Sequence, residues 1–334
     1  MTNNTFYTSS GICLDNCFTI SHMDLHLTAA NAAVKFQEVY TRWESETRNK
    51  VKESTLANYQ VKAQHFILPR FGDCPIDAIT INDIRTFAQE LTAQDLSNKY
   101  IRDILSVLKS VLLFAEQQYH VQNPMTIFMM PPRVRPELVM LSAKDQHTLE
   151  QYIAAHHNLE TLGIAIAKST GLRVGELCAL QWKNVDLDKR ILTVTKTIQR
   201  IQAPNGKDKT KRIITDPKSA SSCRKIPIPA SLLPLLLEFA DEPDVYVIAG
   251  RKTPVEPRTV QYRFTRILKA AGLPIVNFHA LRHMFATNCI RLGFDMKTLS
   301  ELLGHSSVEV TMKIYVHSSL EQKAEYMDRL TMAI

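Results

Sequence analysis

The sequence predicts an α+β chain, mostly α: a helical core-type domain, then a mixed domain holding a small antiparallel three-stranded sheet. Three observations carry this. Apolar residues recur at helical spacing through most of the 334 residues, β-branched residues concentrate early in the second half, and a Pro-rich stretch with neither period separates the two parts. With 45% hydrophobic and 22% charged residues, the composition is that of packed domains, not of a disordered, collagen-like or disulfide-stapled chain.

Residues 1–30 show no sustained period and read as a mobile tail. They contain Cys13-x3-Cys17 and His22-x3-His26, but only four residues separate Cys17 from His22, against the ~12 of a zinc finger, so the spacing reads as chance. Residues 31–125 form the helical domain. Phe36, Val39, Tyr40 and Trp43 fall at i, i+3, i+4 and i+7; Leu56, Tyr59, Ala63 and Phe66 follow Ser54 and Thr55, which have N-cap chemistry. Ile84, Phe87, Ala88 and Leu91 mark a third helix, and Ile104, Leu105, Leu108, Leu112 and Phe114 a fourth. Pro69 with Gly72 is expected to close the second helix and Asn123-Pro124 the fourth. Residues 126–140, with Pro131, Pro132 and Pro136, are a stiff linker carrying Arg133 and Arg135.

Residues 141–334 are the second domain. Helical spacing over Ser142–Ala155 and Leu159–Ser169 precedes the β-rich block: Ile191–Ile201, Arg212–Thr215 and Lys225–Ile228, with Pro204-Asn205-Gly206 turning the chain between the first two. These are the expected three strands. Helices return over Arg258–Ala271, Phe278–Leu292 and Met296–Leu303, each followed by a glycine (Gly272, Gly293, Gly304) suited to the C′ position.

Net charge is +7, and much of it is local: residues 200–229 hold eight basic side chains against Asp208 and Asp216. Such a stripe is the footprint of a polyphosphate partner. No apolar run approaches the ~18–20 residues that cross a bilayer, and residues 1–20 lack the regions of a signal peptide. Four of the six cysteines are isolated and read as reduced thiols of a cytosolic chain.

A phosphodiester can be cut by metal ions held on carboxylates, or by a side-chain nucleophile inside a nest of cations. Asp and Glu are scattered here, whereas Arg, His and Lys occur in unusual contexts. Arg173, in Thr170-Gly171-Leu172-Arg173-Val174-Gly175-Glu176-Leu177, sits where one helix ends and another begins, with Glu176 three residues on to pin it. His279 and Arg282 share a helix face near its N-terminus, where backbone N–H groups also favour anions. His305, in Leu302-Leu303-Gly304-His305-Ser306, follows a helix end. Ten residues later Tyr315 ends a short helix from which its hydroxyl could be delivered to a target, and Ser319-x-x-Gln322 reads as the capping box of a final helix.

In order, T-G-L-R-x-G-E-L, P-K-S-x-x-S-x-R-x-I-P-I-P, H-x-L-R-H, L-L-G-H-S and T-x-x-x-Y resemble the tyrosine recombinases, the phage-integrase family, over about residues 141–330; residues 31–123 look like that family's core-binding domain. The resemblance implies a C-shaped clamp on double-stranded DNA and an in-line attack by Tyr315 on a phosphate, giving a 3′-phosphotyrosyl link and a free 5′-hydroxyl, with neither metal nor ATP nor other cofactor. It makes Arg173 and Arg282 the partners of the nonbridging oxygens, a task suited to planar guanidiniums. It makes His305 a further hydrogen-bond donor, Lys218 the general acid and His279 a base or orienter. Lys211 and Lys225 lie close to Lys218, which is preferred for its place in the P-K-S turn.

Lys207, Lys209, Lys211, Arg133 and Arg135 are candidate DNA contacts. The implied assembly is a homotetramer on paired DNA sites, with an accessory directionality protein, in the nucleoid-associated cytoplasm and away from membranes. The residues before Asn31 look short for the arm-binding domain of many integrases, which counts against classical arm-site integration and leaves a simpler recombinase open. The alternatives are a type IB topoisomerase-like relaxing enzyme and a catalytically silent DNA-binding protein. The complete catalytic set disfavours silence, and an apolar stripe of Leu320, Ala324, Met327 and Leu330, able to dock on a neighbouring subunit or in cis, favours the recombinase.

Overall fold

The computed structural model describes residues 34–133, 139–203, 210–217, 220–315 and 327–328. Its helices are, in chain order, α1 (Phe36–Arg48), α2 (Glu53–Lys62), α3 (Leu68–Phe71), α4 (Ile81–Ala93), α5 (Asn98–Tyr119), α6 (Ala143–Ala155), α7 (Leu159–Thr170), α8 (Val174–Ala179), α9 (Leu233–Glu238), α10 (Pro257–Ala270), α11 (His279–Arg291), α12 (Met296–Leu303) and α13 (Val308–Tyr315). The strands are β1 (Val185–Asp186), β2 (Ile191–Val194), β3 (Thr197–Gln202), β4 (Thr210–Thr215) and β5 (Arg224–Pro227). This is the mostly helical α+β class that the sequence predicts. The described residues fall into two compact units, one within Met1–Thr47 and Gln64–Met130, the other within Arg48–Ala63 and Pro131–Ile334. Among them no helix is long and apolar enough to cross a membrane.

In the first unit the apolar face of α1 (Phe36, Val39, Tyr40, Trp43) is buried, and Phe71 meets Phe36 and Phe87 with ring centroids 6.1 and 5.2 Å apart. A capping box between Thr80 and Asp83 starts α4. Two helix ends differ from the sequence expectation. α5 ends at Tyr119, where His120 takes the left-handed conformation, and Asn123 instead caps the next 3-10 turn by accepting from the Met125 N–H. Pro69 lies within α3 instead of stopping a helix: a π turn over Ala63–Ile67 accommodates the N–H that proline lacks, and the chain leaves α3 at Gly72. At the start of α2, which falls in the second unit, Lys52 occupies the N-cap, so Ser54 and Thr55 fall inside the first turn.

The second unit is built around α7, which is apolar on all sides and therefore buried: every residue from Leu162 to Ala167 lies in the core. The Asn158 side chain caps it by accepting from the Glu160 and Thr161 N–H groups, and Gly171 ends it at φ 66°. Leu177, Trp182, Leu192, Ile226, Val247, Phe264 and Leu281 belong to the same core.

The strands are partnered differently from the expectation. One sheet has the order β1-β2-β5, all antiparallel, with Leu192 opposite Val185 and Ile226; β3 and β4 form a separate antiparallel pair from Thr197↔Thr215 to Gln202↔Thr210. The run Ile191–Ile201 is thus two strands, broken at Thr195 and Lys196. Leu192, Val194 and Ile198 face the core, so one continuous strand would aim Lys196 inward. Instead Lys196 is exposed and bonds Asp216 at 2.7 Å.

Candidate active site

The site forms where two helix ends meet the start of a third, all within the second unit. Gly171 ends α7 and leaves Arg173 extended at the N-cap of α8. One turn on, Glu176 accepts from the Arg173 backbone N–H at 3.0 Å and from its Nη1 at 2.7 Å. Gly175 lets this junction lie against β3, since a Cβ there would sit 2.5 Å from the Ile198 carbonyl oxygen. At the other helix end Gly304, φ 65°, turns the chain so that the His305 N–H donates back to the Ser300 carbonyl. The His305 Nδ1 lies 2.7 Å from Thr311 Oγ1 on α13, which fixes the ring.

Arg282, on α11, is 2% exposed. It donates from Nη1 to Gly171 O and from Nη2 to Leu303 O, both at 2.8 Å. These carbonyls lie at the C-terminal ends of α7 and α12, where the helix dipole is negative. His279 opens α11, its ring centroid 4.7 Å from that of His283.

Both imidazoles are held well below the ordinary histidine value. His305 is pushed to about 4 by burial first, then by Arg282, Arg173, Arg224 and His279. His279 is also pushed to about 4, by burial and then by His283, Arg282 and Arg173. His279 keeps an exposed outer surface, whereas His305 is half-buried. Arg173, His279, Arg282 and His305 therefore share one electrostatic neighbourhood, and its imidazoles are neutral near pH 7.

A cavity of about 380 Å³ opens here, lined by Arg173, Glu176, Ser222, Gly304 and His305, with Lys52, Thr197, Gln199, Thr215, Pro217, Ser306 and Val310. Tyr315 is the last residue of α13, the helix that starts three residues after His305. Lys218, Lys207, Lys209 and Arg135 lie outside the described residues, as do Cys13, Cys17, His22 and His26. The chain reaches the cavity wall at Pro217, whose carbonyl accepts from Lys52 Nζ at 3.2 Å. Lys225 is exposed on β5, Lys211 pairs with Glu53 of α2, and Arg133 is exposed just after Met130. Among the described residues no three His, Cys, Asp or Glu side chains gather to hold a metal.

Neither Lys52 nor Arg224 is among the catalytic candidates named from the sequence, where Arg224 counts only within the basic stripe of residues 200–229. Arg224 had a legible signal: it shares the phase of Ile226 and Ile228 on a strand whose inward positions are buried, an unusual place for an unpaired charge.

A guanidinium and an imidazole line the cavity, Arg282 and His279 lie within electrostatic reach of that imidazole, and the helix beside them ends in tyrosine, an arrangement suited to an anionic phosphoryl group. The family description "Phage integrase family" matches residues 139–322, and that of the phage integrase N-terminal SAM-like domain matches residues 35–92. The chain belongs to the phage integrase family and is an enzyme of the tyrosine recombinase class. Its relatives include a XerC-like tyrosine recombinase of Caldanaerobacter subterraneus subsp. tengcongensis, 29% identical over 317 residues, spanning 87% of this chain and 77% of the relative. The ICEBs1 integrase of Bacillus subtilis is 25% identical, over 82% of this chain and 77% of that protein. Among solved structures, the Tn1549 transposon integrase in complex with a circular intermediate DNA matches with TM-score 0.73 at 23% identity, covering 89% of this chain and 99% of that one. A lambda integrase tetramer bound to a Holliday junction matches with TM-score 0.65 at 22% identity, covering 85% and 78%. At these identities the two structures establish the fold.

Proposed function

We propose that this chain is a site-specific recombinase that cuts and rejoins double-stranded DNA through a 3′-phosphotyrosine intermediate. The observation that carries the reading is that Arg173 and His305 line one cavity while Arg282 and His279 lie within electrostatic reach of His305. In the proposed step the Tyr315 hydroxyl oxygen forms a bond to the scissile phosphorus as the bond to the 5′-oxygen breaks. The tyrosine proton passes to a neutral imidazole, His279 for preference, and the 5′-oxygen takes a proton from Lys218. The phosphodiester is conserved in the tyrosyl ester, so an incoming 5′-hydroxyl reverses the sequence on a new strand without ATP. Arg173 and Arg282 balance the charge of the pentacoordinate state, where each such donor is worth roughly 10²–10³ in rate.

Residues 31–125 would act as the core-binding domain, 126–140 as the linker and 141–334 as the catalytic domain. Lys207, Lys209, Lys211, Arg133 and Arg135 would meet phosphates. The DNA-bound integrase tetramer among the structural matches supports a homotetramer on paired sites; an accessory protein that sets direction and an association with the nucleoid complete the proposal. The test uses full-length protein and a duplex selected from a random-sequence pool. An SDS-resistant protein–DNA adduct that forms in excess EDTA supports the reading; no adduct, or one that requires Mg²⁺, overturns it.

A further inference from the structure

Three consecutive carbonyls end α12, and each accepts from a different arginine. Leu302 O takes Arg224 Nε at 2.6 Å, Leu303 O takes Arg282 Nη2 at 2.8 Å, and Gly304 O takes Arg173 Nη2 at 3.4 Å. Two of these arginines already have roles at the phosphate in the proposed reaction; Arg224 has none. Its side chain is 6% exposed and that of Glu176 is 3% exposed. Its Nη1 and Nη2 donate to the two Glu176 oxygens at 3.2 and 3.0 Å, and Nη1 also donates to Ser222 O at 3.1 Å.

Glu176 is therefore shared between two guanidiniums. Burial pushes its carboxyl up, but the hydrogen bonds and charge of Arg224, followed by the charge of Arg173, hold it below the ordinary carboxylate range. With Arg224 forked across both oxygens, the Arg173 side chain meets the carboxylate through Nη1 alone. Deprived of Arg224, a buried carboxylate would draw Arg173 into the fork, and a bidentate pair would consume donors that a phosphate needs. Lysine could balance the charge but could not span two carboxylate oxygens and a carbonyl.

We propose that Arg224 is a positioning residue for strand cleavage: through Glu176 it sets how Arg173 meets the phosphate, and through Leu302 O it fixes the turn that presents His305. The proposal rests on the reading of Arg173 and His305 as phosphate contacts.

The experiment compares two selected duplexes that differ at the scissile position: one with the normal phosphodiester, the other with a methylphosphonate, in which a methyl group replaces one charged nonbridging oxygen. Arg173→Ala is the control, because the neutral centre no longer needs that arginine. Arg224→Gln should slow adduct formation on the phosphodiester by about 10²-fold, the effect of ångström-scale misplacement, while DNA affinity and methylphosphonate cleavage change by less than about threefold. Arg224→Lys, which keeps the charge and so the fold, should show the same dependence on substrate and fail to rescue. Equal slowing on both substrates would mean a merely structural residue, and undiminished phosphodiester cleavage by both variants would mean no role; either overturns the proposal. If the parent protein itself forms no adduct, it is the recombinase reading that fails.

Discussion

Arg282 donates from Nη2 to the carbonyl of Leu303 at 2.8 Å, two residues before His305 in the chain. The same guanidinium holds Gly171 O, two residues before Arg173. One almost wholly buried side chain thus ties together the two helix ends from which Arg173 and His305 emerge. A buried charge is tolerable only when its donors are met, and here the negative ends of α7 and α12 help to meet them.

Arg282→Lys should therefore be costly to the fold as well as to catalysis. An ammonium at the end of a flexible stem cannot hold both carbonyls in one geometry, and an unmet buried carbonyl costs about 1–3 kcal/mol. Urea denaturation should show a loss of that size, with adduct formation falling in step or further. An unchanged midpoint would mean that Arg282 does not brace the two helix ends.

The neutral imidazoles make stability depend on pH. His305 is held at about 4, by burial first and then by Arg282, Arg173, Arg224 and His279, against about 6.5 in an unfolded chain. Between these values the unfolded chain binds more protons than the folded one. Stability is accordingly complete above about pH 6.5 and is lost as pH falls towards 4. His279 and His283, also lowered by burial and by neighbouring cations, act in the same direction. Urea titrations at descending pH should show the decline, and His305→Gln, which does not titrate, should make it shallower. A variant as steep as its parent would remove His305 from the account.

Gly304 is held to glycine from two sides. Its φ of 65° is left-handed, and a Cβ would lie 2.9 Å from Arg224 Nη1 and 3.0 Å from Ser221 O. Gly304→Ala should lose roughly 1–3 kcal/mol of stability, the range for overpacking a filled site. Because the crowding falls on the turn before His305, cleavage should fall more than DNA affinity does. Equal losses in both would place the damage elsewhere.

Lys218 can be separated from its neighbours by the chemistry of the leaving group. If it protonates the departing 5′-oxygen, Lys218→Ala should slow cleavage by roughly 10²–10⁴, the effect of a lost general acid. A substrate with sulfur at that bridging position has a far better leaving group and should rescue Lys218→Ala but not Tyr315→Phe. Lys211 already pairs with Glu53, and Lys225 is exposed on β5. Rescue of Lys225→Ala instead, with Lys218→Ala active on the normal substrate, would reassign the role.

The fold class was legible because its signals are periodic: the α1 stripe of Phe36, Val39, Tyr40 and Trp43 is buried as a unit, and Gly171 and Gly304 both adopt positive φ at helix ends. What was less legible depended on partners distant in the chain. β-branched residues recur from Ile191 to Ile201 on both sides of Lys196, and the pairing of β2 with β5 and of β3 with β4 divides the run into two strands. The link between Arg173 and Glu176 is local and could be read from their spacing. That between Glu176 and Arg224 crosses 48 residues, and no local period encodes it. Arg282 was legible as half of a helix-face pair with His279, but its carbonyl partners lie at the ends of two other helices.

The central claim is that Tyr315 becomes covalently joined to DNA. Full-length protein incubated with its selected duplex is stopped in SDS, digested with nuclease and trypsin, and the nucleotide-bearing peptide located by mass spectrometry. A 3′-phosphotyrosyl nucleotide is expected on Tyr315, with normal DNA binding and no adduct from Tyr315→Phe. A nucleotide on Tyr326, the next tyrosine along the chain, or an adduct that survives in Tyr315→Phe, would contradict the claim.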